Sequence, residues 1–272
     1  MSMKHVSLAI TVLVLESGLL LSAQEQAQLE MKFYAENKAI SMGEPVNIEF
    51  AAKNNARSPM ALDLGLNRQG AFRFDIIAPD GTVEHVSAPA LLGGSETLVR
   101  INLVPLAPGE TYKQLVRLSQ WYSFPLPGTY VVTGHLAGER FDVIVDSAFT
   151  ITITAADPNR LRVKCEQLAA RALDPEDAGG FDAGIDLSLI KDPIAVPYLE
   201  RMLAGQPTAR IAAIEGLARI GTLEATDLLL NFVGRADAED HSRTVSRLVS
   251  LGRSTQRTEV RERIRAAGLL KE

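Results

Sequence analysis

Residues 192–221 read DPIAVPYLERMLAGQPTARIAAIEGLARIG, and the fold of the second half of the chain turns on them. Asp192-Pro193 is a helix start, because the carboxylate accepts from the free amides of a first turn and proline stands where no N–H is needed. Val196, Leu199 and Leu203 then share one helical face. Pro207 marks the next start, and Thr222 another. The pattern returns: Ala195 to Leu199 aligns with Ala225 to Leu229 at a spacing of 30, and Leu217, Ile220 and Gly221 align with Leu248, Leu251 and Gly252 at 31. Leu187 and Ile190 supply part of an earlier copy. A period near 30 with two helices per unit predicts stacked hairpins, each unable to bury its apolar face alone. The core expected between them comprises Val196, Leu199, Ile211, Ile214, Leu217 and Leu228.

The Asp-Pro entry, the Val-Pro-x-Leu helix (Val196 to Leu199) and the Ala-rich helix Arg210 to Ile220 ending in Ile-Gly resemble, in that order, a short bacterial HEAT-type repeat of the kind found in PBS-lyase-like proteins. The resemblance covers one unit well, and the next copy lacks its proline. It implies an interaction scaffold and a C-terminal α-helical solenoid.

Upstream the helical period begins at Asp157-Pro158, where Leu161, Cys165, Leu168 and Ala172 occupy one face. Before it the period is two. Val46, Ile48 and Phe50 alternate with polar residues, as do Phe72, Phe74 and Ile76, then Val99, Ile101 and Leu103, and finally Phe149, Ile151 and Ile153. Pro79-Asp80-Gly81, Gly93-Gly94, Pro108-Gly109 and Pro127-Gly128 supply the reversals. Seven or so strands so punctuated predict an antiparallel β-sandwich. Gly43 to Val46, Leu106 to Thr111 and Phe124 to Tyr130 resemble bacterial immunoglobulin-like domains, including the BsuPI-type proteinase-inhibitor fold.

The predicted fold class is therefore multidomain, β plus α. Residues 1–23 read as a signal peptide, 24–156 as the sandwich and 157–272 as the helical repeats. The signal reading rests on Lys4 and His5 before the apolar run from Val6, and on the small-residue end Ser22-Ala23. Glu16 interrupts that run, so no stable membrane span is expected after cleavage. An exported protein, periplasmic or secreted, follows. The formal charge is −5, with 11 basic and 16 acidic residues through Asp157 and 17 of each beyond it, so neither half has the basicity of a nucleic-acid binder.

Chemistry is sparse. His85, His135 and His241 are scattered without ligand spacing, and no phosphate loop or nucleophile elbow occurs. Cys165 sits on an apolar helical face and reads as a buried structural thiol. Asp174, Glu176, Asp177, Asp182 and Asp186 offer oxygen ligands of the type calcium takes, but fit no EF-hand spacing and read as a solvated linker around Gly179-Gly180. No cofactor or metal is implied. Two candidate partner surfaces stand beside blander readings, and for the second of them, an arginine stripe on the last helix, the blander reading is a solvated face partly neutralised by Glu262. Trp121 and Tyr122, with Phe124, form the densest aromatic cluster, either a platform for a ligand or the seal of one end of the sandwich. Arg257, Arg261 and Arg265 recur every four residues on a last helix whose Val260, Ile264 and Ala267 face the array. The expected function is non-catalytic binding of another protein in the cell envelope. The alternative is a proteinase inhibitor acting through the sandwich, as that resemblance implies.

Overall fold

The computed structural model describes residues 29–35, 37–64, 71–87, 103–137, 142–144 and 148–270. The signal reading, the Gly93-Gly94 turn, Val99 and Ile101 lie outside them. Among the described residues are eleven strands and seven α-helices, so the chain is β plus α. They form two compact units. One holds the described residues through Lys38 together with Asn47–Val116 and Thr129–Ile151; the other holds Ala39–Val46, Arg117–Gly128 and the chain from Thr152 onward. The boundary expected at 156 falls within the second unit.

In the first unit, β1 (Leu29–Tyr34), β3 (Asn47–Asn54) and β8 (Thr111–Arg117) form a sheet with β3 central. β5 (Phe72–Ile77) pairs antiparallel with β6 (Val83–Ser87) on one side and β9 (Gly128–Ala137) on the other. β10 (Asp142–Ile144) and β11 (Phe149–Thr154) flank β9, while β4 (Met60–Asp63) and β7 (Leu103–Leu106) form a separate pair. The period-two residues of β3 and β5 face inward: Phe33 and Phe50, opposite each other in register, meet Phe72 of the other sheet with ring centroids 4.9–5.4 Å apart. Such tilted and edge-on pairs add to the burial of ring surface. Gly134 in β9 makes room for this cluster, since a Cβ there would lie 2.2 Å from the Phe33 ring. Leu103, expected inside, is 52% exposed, and Leu106 three residues on is the buried residue of β7.

In the second unit, β2 (Ala39–Ser41) pairs with residues 152–154 of β11, and the pairing is parallel rather than antiparallel. Ser41 Oγ donates to the Ala155 carbonyl and accepts from the Asp157 amide at 3.1 Å. Asp157 caps α1 (Pro158–Leu173) by accepting from the amides of Asn159 and Arg160. Then follow α2 (Gly180–Ser188), a 3-10 turn at Pro193–Ala195, α3 (Val196–Met202), α4 (Pro207–Ile220), α5 (Leu223–Val233), α6 (Ala238–Ser254) and α7 (Thr258–Ala266). Asp192 and Thr222 cap as expected.

The helices lie in two rows. α2, α4 and α6 pack in succession in one; α1 meets α3 and α5 meets α7 in the other, and each of α1, α3 and α5 also packs on the helix that follows it. One apolar core runs from Leu161 and Cys165 through Leu199, Ile214 and Leu217 to Leu248 and Ile264. Ile211 and Leu228, expected within it, are only half-buried, and Ala267 is exposed because α7 has ended. Leu269 and Leu270 pack against the core instead. The acidic stretch also differs from expectation: Asp182 and Asp186 lie in α2, one turn apart, and both bind the buried Arg117. No helix among the described residues is long and apolar enough to cross a membrane.

Candidate functional site

The aromatic segment after β8 builds a cleft wholly within the second unit. A 3-10 turn at Leu118–Gln120 ends β8, and Ser119 Oγ accepts the Val46 amide at 2.7 Å, tying the segment to the turn after β2. Phe124 then adopts φ +48°, the left-handed region that bulky residues rarely enter. It also precedes Pro125, which favours an extended conformation. The ring is nonetheless buried at 3% exposure and meets Tyr122 edge-on at 4.9 Å. Burial of the ring holds the backbone in a sparsely populated state, a form of strain that concentrates at ligand sites.

Tyr122 and Phe124 line a cavity of about 360 Å³, at the lower end of ligand-pocket sizes. The opposite wall comes from Leu189 to Pro193, between α2 and α3. There Lys191 Nζ lies 2.9 Å from Ser123 Oγ, so the ammonium donates across the cleft to the aromatic segment. Glu44 closes a third side, and Arg160 fixes it with two hydrogen bonds, at 2.6 and 3.1 Å. Lys191 is exposed. The cleft thus offers an apolar, aromatic lining rimmed by hydroxyls and both signs of charge.

Of the sequence-predicted residues, Tyr122 lies in this cleft and Trp121 is half-buried beside it, outside the lining. The arginine stripe is elsewhere and partly engaged. Arg257 is the N-cap residue of α7, and its guanidinium donates at 2.9 Å to the carbonyl of Gly221, which ends α4. Arg261 donates to the Thr255 carbonyl at the end of α6. Both satisfy helix C-termini, where a cation is favoured. Arg265 is exposed. Lys191, Ser119, Ser123 and Glu44 went unread because they belong to three stretches with no shared spacing.

A second constellation, on the first unit, corrects the view of scattered histidines. Alternation on β5 sends Phe72, Phe74 and Ile76 inward and Asp75 to the opposite face. His85 of β6 is its direct partner in register, with Nδ1 2.5 Å from Asp75 Oδ1, and His135 of β9 reaches Oδ2 through Nε2 at 2.9 Å, so the carboxylate accepts from both rings. The His85 contact, more than that of His135, holds the Asp75 carboxyl below the usual carboxylate range, against a smaller opposing effect of burial. Among the described residues no group of three or more such side chains is arranged to hold a metal ion. Cys165 is fully buried, which pushes its thiol up to about 12 and leaves it without nucleophilic character.

No family model and no curated protein matches the chain. Solved structures overlap parts of it. A β-glucosidase from Listeria innocua, solved with isofagomine, is similar at 16% identity and a TM-score of 0.29, over 47% of this chain and 16% of its own. A β-glucosidase from Erythrobacter marinus is similar at 12% identity and a TM-score of 0.28, over 46% of this chain and 15% of its own. A CARDB domain from Pyrococcus furiosus, in complex with di-metal ions, is similar at 12% identity and a TM-score of 0.25, over 47% of this chain and 94% of its own. This chain thus spans less than a sixth of the Erythrobacter marinus enzyme and about a sixth of the Listeria innocua one.

Proposed function

We propose that this is an exported, non-catalytic protein-binding protein of the cell envelope, built from an immunoglobulin-like β-sandwich and a short HEAT-type solenoid. The observation that carries the reading is the Tyr122–Phe124 cleft, preformed by a strained backbone and rimmed by Lys191, Ser123 and Glu44. Its occupant is an apolar side chain of the partner, whose flanking backbone meets the polar rim. Preorganisation of this kind lowers the ordering cost of binding. The two rows of helices support the scaffold part of the reading, and the facing phenylalanines of β1, β3 and β5 support the sandwich.

The test is site-specific crosslinking of the full protein in its native envelope, with a photoreactive phenylalanine analogue replacing Tyr122. One discrete protein adduct is expected, and none from the same analogue at the exposed Leu126. Tyr122→Ala should weaken recovery of that partner by about 2 kcal/mol, as truncation of an interface anchor does. A small molecule retained in the cleft in native mass spectrometry, with no protein adduct, would sink the reading.

A further inference from the structure

The row of helices formed by α2, α4 and α6 carries a basic groove that the last-helix arginines do not form. α4 and α6 lie side by side, and two depressions between and along them, about 220 and 500 Å³, share Ser250 and Ser254. Leu251 and Ala218 line the inner one, so its lining is partly apolar. Its rim is cationic. Arg219 of α4 is exposed there, with one N–H donating to the Ser188 carbonyl. Arg247 of α6 makes a 2.6 Å contact through Nε to Glu215, and Arg253 is exposed with no ion pair among the described residues. Arg219 and Arg247 thus line the inner depression with one carboxylate, Glu215, which is already engaged, and Arg253 lines the adjoining depression along α6. Ser246, Ser250 and Ser254 add hydroxyls at one-turn spacing along α6.

We infer that the α4–α6 groove docks an acidic segment of a protein partner, its carboxylates on Arg219, Arg247 and Arg253 and an apolar side chain on Leu251 and Ala218. Guanidinium forks match carboxylates with two parallel hydrogen bonds, which fixes orientation as well as charge. The charge excess favours an acidic chain, and the apolar lining favours peptide over a bare polyanion. The inference rests on the protein-binding reading only for the class of partner, since the groove is a different surface from the Tyr122 cleft.

The probe is a fluorescein-labelled octapeptide in which pairs of glutamates alternate with leucine, titrated with the full-length protein and followed by anisotropy. A saturable rise is expected, weakened about tenfold by half-molar salt because the charges are exposed. Ser250→Glu and Arg253→Glu alter exposed side chains and should each remove the signal with helical content unchanged, while Tyr122→Ala leaves it intact. No binding of the peptide, or equal binding by Ser250→Glu, overturns the inference. So does preference for anionic vesicles or for a single-stranded oligonucleotide over the peptide. A silent peptide with the Tyr122 adduct still present refutes the groove and leaves the protein-binding reading standing.

Discussion

Two titratable residues show opposite consequences of their surroundings. Cys165 lies at 0% exposure in the helical core, and burial disfavours its thiolate so strongly that the thiol is pushed up to about 12. The native protein is therefore expected to resist a thiol reagent at pH 8, and to take up one equivalent on unfolding in urea; labelling of the folded protein at the unfolded rate would contradict this. Asp75 is the reverse case. Its folded carboxyl sits below the ordinary value, chiefly through the His85 hydrogen bond. A group depressed in this way contributes stability above its unfolded value, and loses that contribution as pH falls through the folded one. Asp75→Asn should thus lower the urea midpoint at pH 6, and the difference between the two proteins should shrink as pH is taken below the ordinary carboxylate range and through the depressed folded value. A difference that stays constant across that range would assign the effect to packing rather than charge.

At the scale of elements, α4 carries the most structural constraint, and its sequence shows only half of the reason. The apolar period located Ile214 and Leu217, both fully buried, and the same period placed Val196 and Leu199 opposite them. Gly216 gives no periodic signal, and an interior glycine reads as a weakness in a helix. It is instead a contact point: a Cβ there would lie 2.9 Å from the Leu199 side chain and 3.0 Å from the Ser188 backbone. Gly216→Ala should consequently destabilise by about 1–3 kcal/mol despite the higher helix propensity of alanine. Ile214→Ala at the same interface should cost about 2–5 kcal/mol through the cavity it leaves. Urea denaturation of the two variants checks both. A stabilised Gly216→Ala would mean that α4 stands farther from α2 and α3 than described.

Across the whole molecule, what was legible in the sequence was what repeats locally. The change of period at Asp157-Pro158, the helix starts at Asp192, Pro207 and Thr222, and the inward faces of β3 and β5 all follow from spacing within a dozen residues. What joins distant stretches left no such mark. Ala39–Val46 and Arg117–Gly128 belong to the unit that contains the helices, yet nothing in their own composition separates them from the strands around them. The same holds for Asp182 and Asp186, which read as solvent-facing acids because their partner lies more than 60 residues away. Arg117 is 5% exposed; its Nε lies 2.7 Å from Asp186, itself 14% exposed in its side chain, and Nη2 lies 2.5 Å from Asp182. Removing one member of such a pair leaves a charge in a poorly hydrated place, which costs more than the pair contributed. Arg117→Met should therefore destabilise by about 3 kcal/mol, whereas Arg117→Met combined with Asp186→Asn should recover most of that loss, since the buried carboxylate has gone with its partner. Urea midpoints for the two single variants and the double variant close the cycle. Additive losses would show that Arg117 acts through its methylenes and not through its charge, and that the acids of α2 do not depend on the end of β8.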